Sequence, residues 1–509
     1  MGGQADTPTG PDFTQGVPLA DIPAEGVLAG HVGEDGVILA RVGGEITALS
    51  SRCTHYGGPL GEGLRVGDTV RCPWHHACFS LKTGEALGAP AIDPLDRFKV
   101  ETRGDRVFVR RKDKPADQPF RTVKGKHPKR MVIVGGGAAG FAAAEMARRL
   151  GYKGELTMIS ADADAPYDRP NLSKDYLAGS APEEWMPLRG EDFYRRNHID
   201  LRLNTRVASL DAAGRRVTLD NGKSILFDAL LLATGAEPIM LQAPQPTPNS
   251  FTLRSFADCR ALIDKAKGSK KAVVVGASFI GLEVAGALRA RGLEVDVVAP
   301  EAVPMQKALG PELGGFVKSL HEAKGVRFHL GRSVSGFHDG RVTLDDNSAL
   351  DADMVIMGIG VRPRVELARA AGLTVDGGVY VDDRLRTSAA GIWAAGDIAA
   401  FPDARTGERI RIEHWVVAER QGQVAAANML GADVRYDATP FFWSAHWGEE
   451  IRYSGHASAW DKAEIDGSIE GRDAEVRYLK DGQVQAIATL GRDRRNLECA
   501  AKWENGGGC

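Results

Sequence analysis

Apolar and polar positions follow two rhythms along the chain. Between residues 17 and 111 they alternate over short runs, such as Gly36-Val37-Ile38-Leu39-Ala40-Arg41-Val42, Glu45-Ile46-Thr47-Ala48-Leu49 and Arg106-Val107-Phe108-Val109. Glycine pairs and Asp-Gly turns separate the runs, which predicts a small antiparallel β-domain. From residue 131 the apolar positions gather into blocks, at 131–134, 229–232, 272–275 and 295–298. Each block predicts a buried strand, and the Ala-rich stretch 141–150, charged on one face, predicts a helix. Residues 112–130 carry three prolines, many Lys and Arg and almost no apolar period, so they predict a tether. Such a tether would hold its domain at an effective concentration on the order of millimolar. The last segment mixes strands (475–479 and 485–489) with a charged final stretch and a terminus, 506–509, expected to fray.

The block at 131–134 runs straight into Gly135, Gly136, Gly137, Ala138, Ala139 and Gly140. Strand, tight glycine turn and helix is the setting in which G-x-G-x-x-G binds a dinucleotide. The first glycine makes the turn, the second lets backbone approach a pyrophosphate, and the third lets the helix pack on the strand. The helix N-terminus adds free N–H groups and the positive end of a dipole. A second copy, Gly276-Ala277-Ser278-Phe279-Ile280-Gly281-Leu282-Glu283, follows the next buried block. Ser278 replaces the middle glycine and is small enough to allow the approach. Glu301 stands twenty residues beyond Gly281 (281 to 301), in reach of a ribose 2′-OH. No arginine cluster follows it, which favours NADH over NADPH at this second site. Asp162 is the corresponding acid of the first.

Two loops of the N-terminal segment carry metal-binding chemistry. Cys53-Thr54-His55 and Cys72-Pro73-Trp74-His75 each offer one thiolate and one imidazole. Two of each suit either zinc or a Rieske 2Fe–2S centre, in which one iron takes two cysteines and the other two histidines. His76 is not expected to bind, and Cys78 is expected to be a buried, inert thiol.

Composition narrows the picture further. A chain of 509 residues exceeds one core, so several domains are expected. A formal charge of -3 gives no sign of a nucleic-acid partner. No apolar run is long enough to span a bilayer, and residues 1–16 lack the basic start and apolar core of a secretory signal, so no membrane and a cytoplasmic location are expected. Six cysteines are too few for a disulfide scaffold, and Cys259, Cys499 and Cys509 are isolated in the sequence.

Gly57-Gly58-Pro59 and Cys72-Pro73-Trp74-His75 resemble the Rieske ferredoxins, with Cys53, His55, Cys72 and His75 as the implied ligands. Gly58 and Trp74 stand where the high-potential type carries an extra disulfide, so the likeness is to the soluble type. The first glycine motif, Ala233-Thr234-Gly235 and Gly391-Ile392-Trp393-Ala394-Ala395-Gly396-Asp397 together resemble flavoproteins with two dinucleotide-binding domains. Pro166-Tyr167-Asp168-Arg169-Pro170-Asn171-Leu172-Ser173-Lys174 resembles the ferredoxin reductases and apoptosis-inducing-factor-like oxidoreductases, and lacks the cysteine pair of their thiol-reducing relatives.

The resemblance implies a multidomain chain: a small antiparallel β Rieske domain, an α/β Rossmann-like FAD domain with an inserted NAD domain, and a small C-terminal α+β interface domain. The implied bounds are 1–16 disordered, 17–111 Rieske, 112–130 linker, 131–252 and 379–430 FAD, 253–378 NAD and 431–509 interface. It further implies that FAD meets Arg169, Lys174, Val207, Thr234, Gly235, Asp397, Glu413, His414, Trp415 and Trp443, and that the nicotinamide side includes Gly360. Lys174, His414 and Trp415 are the implied catalytic group, Lys174 with its charge beside the flavin ring.

Nicotinamide gives two electrons together and a Rieske cluster accepts one at a time, so flavin belongs between them. The expected function is electron transfer from NADH through FAD to the 2Fe–2S cluster and on to an outside acceptor: an oxygenase component, a ferredoxin or a small molecule. The alternative is a redox-sensing protein in which slow NADH oxidation changes oligomeric or partner state.

Overall fold

In the computed structural model, residues 9–113, 121–241 and 249–509 are described. The alternating N-terminal runs form a six-stranded antiparallel sheet in which 45–50 pairs with 35–42 and 97–103. A four-stranded antiparallel sheet of 64–66, 69–71, 78–80 and 86–88 is built onto it and carries the two Cys/His loops at one end. Order begins earlier than the sequence implied. Residues 1–8 lie outside the described residues, but Phe13 is fully buried and Asp12 bridges to His31, because this apolar ring plugs the end of the sheet.

The buried blocks form two parallel sheets. The first has the order Ile199–Arg202, Glu155–Ile159, β1 (Arg130–Val134), Ala229–Leu232, Ile392–Ala394. The second has the order Ser250–Phe251, Met354–Met357, β2 (Lys271–Val275), β3 (Glu294–Ala299), Val326–Leu330. All of the second sheet falls in sequence between two neighbouring strands of the first, which is the topology of an inserted domain. After each glycine turn comes a helix: α1 (Ala138–Arg149) in the first domain and α2 (Phe279–Ala290) in the second. α3 (Gln306–Glu322) also covers the second sheet and is kinked where Pro311 follows Gly310.

α4 (Trp415–Met429) packs along α1. Both helices present small residues at the contact; a Cβ on Gly422 would lie 2.2 Å from the Ala139 carbonyl oxygen. The C-terminal part is a five-stranded antiparallel sheet that begins with β4 (Phe441–His446) and β5 (Glu449–Gly455) and is closed by α5 (Asp493–Glu504). Its Tyr453 and Tyr478 share one core with α2 and α3.

Three sequence expectations are corrected. Cys499 and Cys509 are joined by a disulfide, because Gly506 and Gly507 turn the chain back onto α5 through amides bonded to Trp503 and Lys502. The terminus therefore does not fray. Cys78 is half-buried rather than buried. Of the tether, 114–120 lies outside the described residues, but 121–130 lies on the body: Arg121 pairs with Glu85 at 2.8 Å, and the Val123 amide bonds to the Leu150 carbonyl. Among the described residues no helix is long and apolar enough to cross a membrane.

Candidate active site

The helices α1, α2 and α4 point their N-termini into one cavity of about 590 Å³. At the first turn Gly135 has φ +121°, and a Cβ there would lie 2.0 Å from the Ala233 carbonyl oxygen. A Cβ on Gly140 would sit 1.9 Å from the carbonyl oxygen of Gly135. Both glycines are therefore required for α1 to start so close to β1. Gly137, Ala138 and Ala139 line the cavity, while Gly136 backs onto Ser160. The α1 N-terminus has no side-chain cap, so its amides stay open to an anion. Arg169 stands over the turn: a Cβ on Gly137 would be 3.5 Å from its guanidinium, and its buried Nε lacks a partner. An uncapped helix start beneath an unsatisfied guanidinium fits a pyrophosphate.

The second turn repeats the packing, with a Cβ on Gly281 falling 2.2 Å from the Gly276 carbonyl oxygen. Ser278 is not merely small. It caps α2, accepting from the Gly281 amide at 3.2 Å and donating to the Gly358 carbonyl at 2.7 Å. Ser278, Phe279, Ile280, Glu283 and Gly360 all line the cavity from this domain.

Lys174, Gly235, Asp397, Glu413, His414, Trp415 and Trp443 line it from the other side. Asp397 is paired with Arg254, a wall residue that carries no sequence signal. Glu413 pairs with Arg411 at 2.5 Å. Burial pushes the His414 imidazole down to about 3, and its Nδ1 is buried without a partner. Lys174 binds Glu283 at 2.8 Å across the two nucleotide domains. Glu283 thus serves as the lysine's counter-ion.

Besides the turn glycines Gly135, Gly136, Gly140, Gly276 and Gly281, which shape the two turns behind it, four predicted residues lie off the cavity wall. Asp162 accepts from the Tyr167 hydroxyl at 2.7 Å and from the Asp164 amide. Val207 opens the strand Val207–Asp211 and packs on the first core. The Thr234 hydroxyl donates to the Arg364 carbonyl. Glu301 follows β3, its carbonyl bonded to the Gly331 amide.

The two Cys/His loops stand directly against this cavity. Each closes on itself: Cys53 N–H to Gly58 and Gly57 N–H to Cys53, then Cys72 N–H to Ala77 and His76 N–H to Cys72. The two thiols are within reach of each other, and the Nδ1 atoms of His55 and His75 lie 3.2 Å apart. Amides of His55 and Tyr56 point at the Cys53 sulfur, and those of Trp74 and His75 at the Cys72 sulfur; the hydrogen bond with Cys72 and burial nonetheless push the Cys53 thiol up, while the bond from Cys53 holds Cys72 down. A Cβ on Gly58 would come within 2.6 Å of the Cys72 sulfur. Among the described residues no three such donors close on a single ion position. Two thiols and two imidazoles in separate pairs fit a 2Fe–2S unit, which takes two protein ligands at each iron. His76 is turned away, stacked 3.9 Å over Phe441.

The histidine end of these loops faces the flavoprotein body. His75 lies 4.0 Å, ring centre to ring centre, from Trp443 in the cavity wall. Tyr56 donates to Asp168, one residue before Arg169. Arg452 donates to the Trp74 carbonyl at 2.9 Å, and Arg420 to the carbonyls of His76 and Ala89 at 2.7 and 3.1 Å. These contacts leave no trace in the sequence, since their partners lie more than 100 positions apart.

Residues 129–422 match the pyridine nucleotide-disulphide oxidoreductase family, and residues 17–99 match the Rieske [2Fe-2S] domain. The chain belongs to the pyridine nucleotide-disulphide oxidoreductase family. This oxidoreductase is 33% identical to human apoptosis-inducing factor 3 over 476 residues, covering 90% of the chain and 78% of that protein. It is 38% identical to the ferredoxin–NAD(+) reductase component of the anthranilate 1,2-dioxygenase system of Burkholderia cepacia, over 71% of the chain and 91% of that protein. Among solved structures it resembles the reductase in the covalent putidaredoxin reductase–putidaredoxin complex, at 31% identity and a TM-score of 0.72, over 75% of the chain and 94% of that structure's chain. The oxidoreductase uses FAD, a pyridine nucleotide and a Rieske 2Fe–2S cluster.

Proposed function

We propose that this chain oxidises NADH and delivers its electrons, one at a time, through its own Rieske domain to an external acceptor. The observation that carries the proposal is Trp443. Its indole both lines the nucleotide cavity and lies 4.0 Å, ring centre to ring centre, from His75. When bound, FAD accepts hydride and releases single electrons, and a 2Fe–2S cluster takes them singly.

The chain's residues set up both transfers. Gly137 and the α1 amides with Arg169 would hold the flavin pyrophosphate, and Asp397 with Arg254 would border the chain that leads to the ring. Lys174 would set a positive charge beside the ring, held there by Glu283. Phe279, Ile280 and Gly360 would form an apolar wall on the nicotinamide side and exclude water. His414 stays neutral through burial, so it adds no charge of its own to the side of the cavity it shares with Lys174. Tyr56, Arg420 and Arg452 keep His55 and His75 facing Trp443. NADH is favoured over NADPH because no arginine cluster follows Glu301. The acceptor class is a soluble one-electron carrier such as a ferredoxin, in line with relatives described as ferredoxin–NAD(+) reductases.

The test is chemical composition together with acceptor turnover. Purified protein should hold one FAD, two irons and two acid-labile sulfides per chain, and NADH should drive reduction of a one-electron acceptor. Protein with FAD but without iron and sulfide after oxygen-free reconstitution would overturn the proposal. A second reading, an apoptosis-inducing-factor-like redox sensor, draws on the likeness to human apoptosis-inducing factor 3 over 90% of this chain. Flavin reduction well below about one per second, with no acceptor turnover, would support it over the enzyme, whose turnover should lie in the ordinary range.

A further inference from the structure

Behind the Lys174–Glu283 pair lies a chain of buried polar groups that the proposed electron route does not use. Oε2 of Glu283 accepts from Lys174 at 2.8 Å and from the Ser173 hydroxyl at 2.6 Å. Oε1 accepts from the Ser444 hydroxyl at 2.7 Å. Ser444 lies 3.0 Å from Nε2 of His446, and Nδ1 of His446 lies 3.2 Å from Nε2 of His321. The Trp447 indole N–H donates to Nδ1 of His321 at 3.3 Å. Glu283, Ser444, His446 and His321 are all buried, and only Trp447 reaches the half-exposed turn between β4 and β5.

The direction of this chain is fixed by its ends. An indole N–H can only donate, so His321 accepts at Nδ1 and carries its proton on Nε2. It therefore donates to Nδ1 of His446, which must carry its own proton on Nε2 and donate to Ser444. The single Ser444 proton is then free for Glu283. Three donors converge on that carboxylate, which suits its ionised form. Burial holds both imidazoles neutral, His321 and His446 each pushed down to about 3, so the chain acts by dipoles alone. Bonds aligned head to tail in a dry interior polarise one another.

We infer that His446 and His321 are positioning residues: oriented by Trp447, they act through Ser444 to hold the Glu283 carboxylate, and with it the Lys174 ammonium, in place at the wall of the nucleotide cavity. The chain ties together three parts of the fold. Lys174 belongs to the first nucleotide domain, Glu283 and His321 to α2 and α3 of the second, and Ser444 to Trp447 to the C-terminal sheet. The inference rests on the proposed flavin site, and predicts that its electrostatics depend on a turn far from the cofactor.

The test uses FAD-loaded protein and three variants. His446→Leu breaks the chain. His446→Gln preserves it, since an amide can accept from His321 and donate to Ser444. Trp447→Phe removes only the orienting donor. Nitrogen-15 resonances of the histidine side chains should show neutral Nε2–H tautomers for His321 and His446 in the wild type, and mixed tautomers in Trp447→Phe. In His446→Leu, NADH should reduce the flavin on the order of 10-fold more slowly, as loss of one buried hydrogen bond implies. The flavin midpoint potential should move to more negative values, with FAD content and NADH affinity unchanged. His446→Gln should restore both to within about 2-fold. If His446→Leu does not fold, Trp447→Phe carries the test with the same two readouts. Wild-type imidazoles that are charged or carry the proton on Nδ1 would overturn the inference. So would a folded His446→Leu with unchanged rate and potential, or a His446→Gln as impaired as it. Wild-type protein that binds no flavin would instead overturn the flavin reading itself.

Discussion

Arg420 offers a way to separate the two proposed electron-transfer steps without replacing a residue that lines the cavity or one of the four proposed cluster ligands. It sits on α4, off the cavity wall, and gives two charge-assisted bonds to the Rieske domain, at 2.7 Å to His76 and 3.1 Å to Ala89. Such bonds contribute about 1.5–3 kcal/mol each. Water satisfies the freed carbonyls once the domains part, and Gln423 still bonds to the Ala89 amide. A loss of ~2–3 kcal/mol in docking is therefore expected for Arg420→Met, or about 30- to 150-fold in the docking equilibrium. Tyr56–Asp168 and Arg452–Trp74 remain in place, and the tether keeps the local concentration high. Part of the loss is thus absorbed, and cluster reduction should slow by about 10-fold. The assay is anaerobic stopped-flow mixing with NADH, following the flavin and cluster bands separately, with hydrogen exchange at residues 72–77 to report undocking. Flavin reduction should keep its wild-type rate. Faster exchange at 72–77 with cluster reduction unchanged would refute the docked arrangement as the one that transfers electrons, and so would equal slowing of both phases.

Other outcomes follow from the same structure. Cys53→Ser or His75→Ala should abolish one-electron acceptor turnover and leave flavin reduction by NADH intact; a parallel loss of both would contradict the sequential order. Gly140→Ala sets a methyl 1.9 Å from a carbonyl oxygen, so α1 must shift. Purified Gly140→Ala should have lost most of its FAD, with stability lowered by ~1–3 kcal/mol, measured by absorbance and thermal melting. Burial alone would raise Asp296, but hydrogen bonds from Arg327 and His329 hold it below its ordinary 3.8. A carboxylate depressed on folding stabilises the protein above its unfolded value, and that contribution disappears as pH falls through the folded value. Asp296→Asn should therefore flatten the acid limb of the stability profile below about pH 4, and an unchanged limb in acid-melting experiments would reject the assignment.

What the sequence revealed and what it hid divide along physical lines. Glycine turns, buried blocks and Cys/His loops are local, and each is dictated by backbone sterics or ligand chemistry within about ten residues of chain. They were legible, and the nesting of one nucleotide sheet inside the other was implied by the family resemblance. The Lys174 position was legible only by resemblance, and Glu283 was read as a nucleotide contact because its motif hides the lysine it faces. Tyr56, Arg420 and Arg452 carried no signal, since nothing near them in the chain points to a partner. The chain of His321, His446 and Trp447 was equally hidden, being assembled from α3 and the β4–β5 turn. Cys509 was misjudged because its partner became visible only once two glycines had reversed the chain after α5.

The proposed path from the nucleotide cavity across Trp443 to His75 can be tested by titrating the anaerobic protein with NADH and freezing samples for paramagnetic resonance. The structure predicts that the flavin bleaches and the reduced-cluster signal then grows in the same samples, without added mediator, and that Trp443→Leu slows the second event while sparing the first. A cluster that stays oxidised beside fully reduced flavin, yet is reduced at once by dithionite, would contradict it.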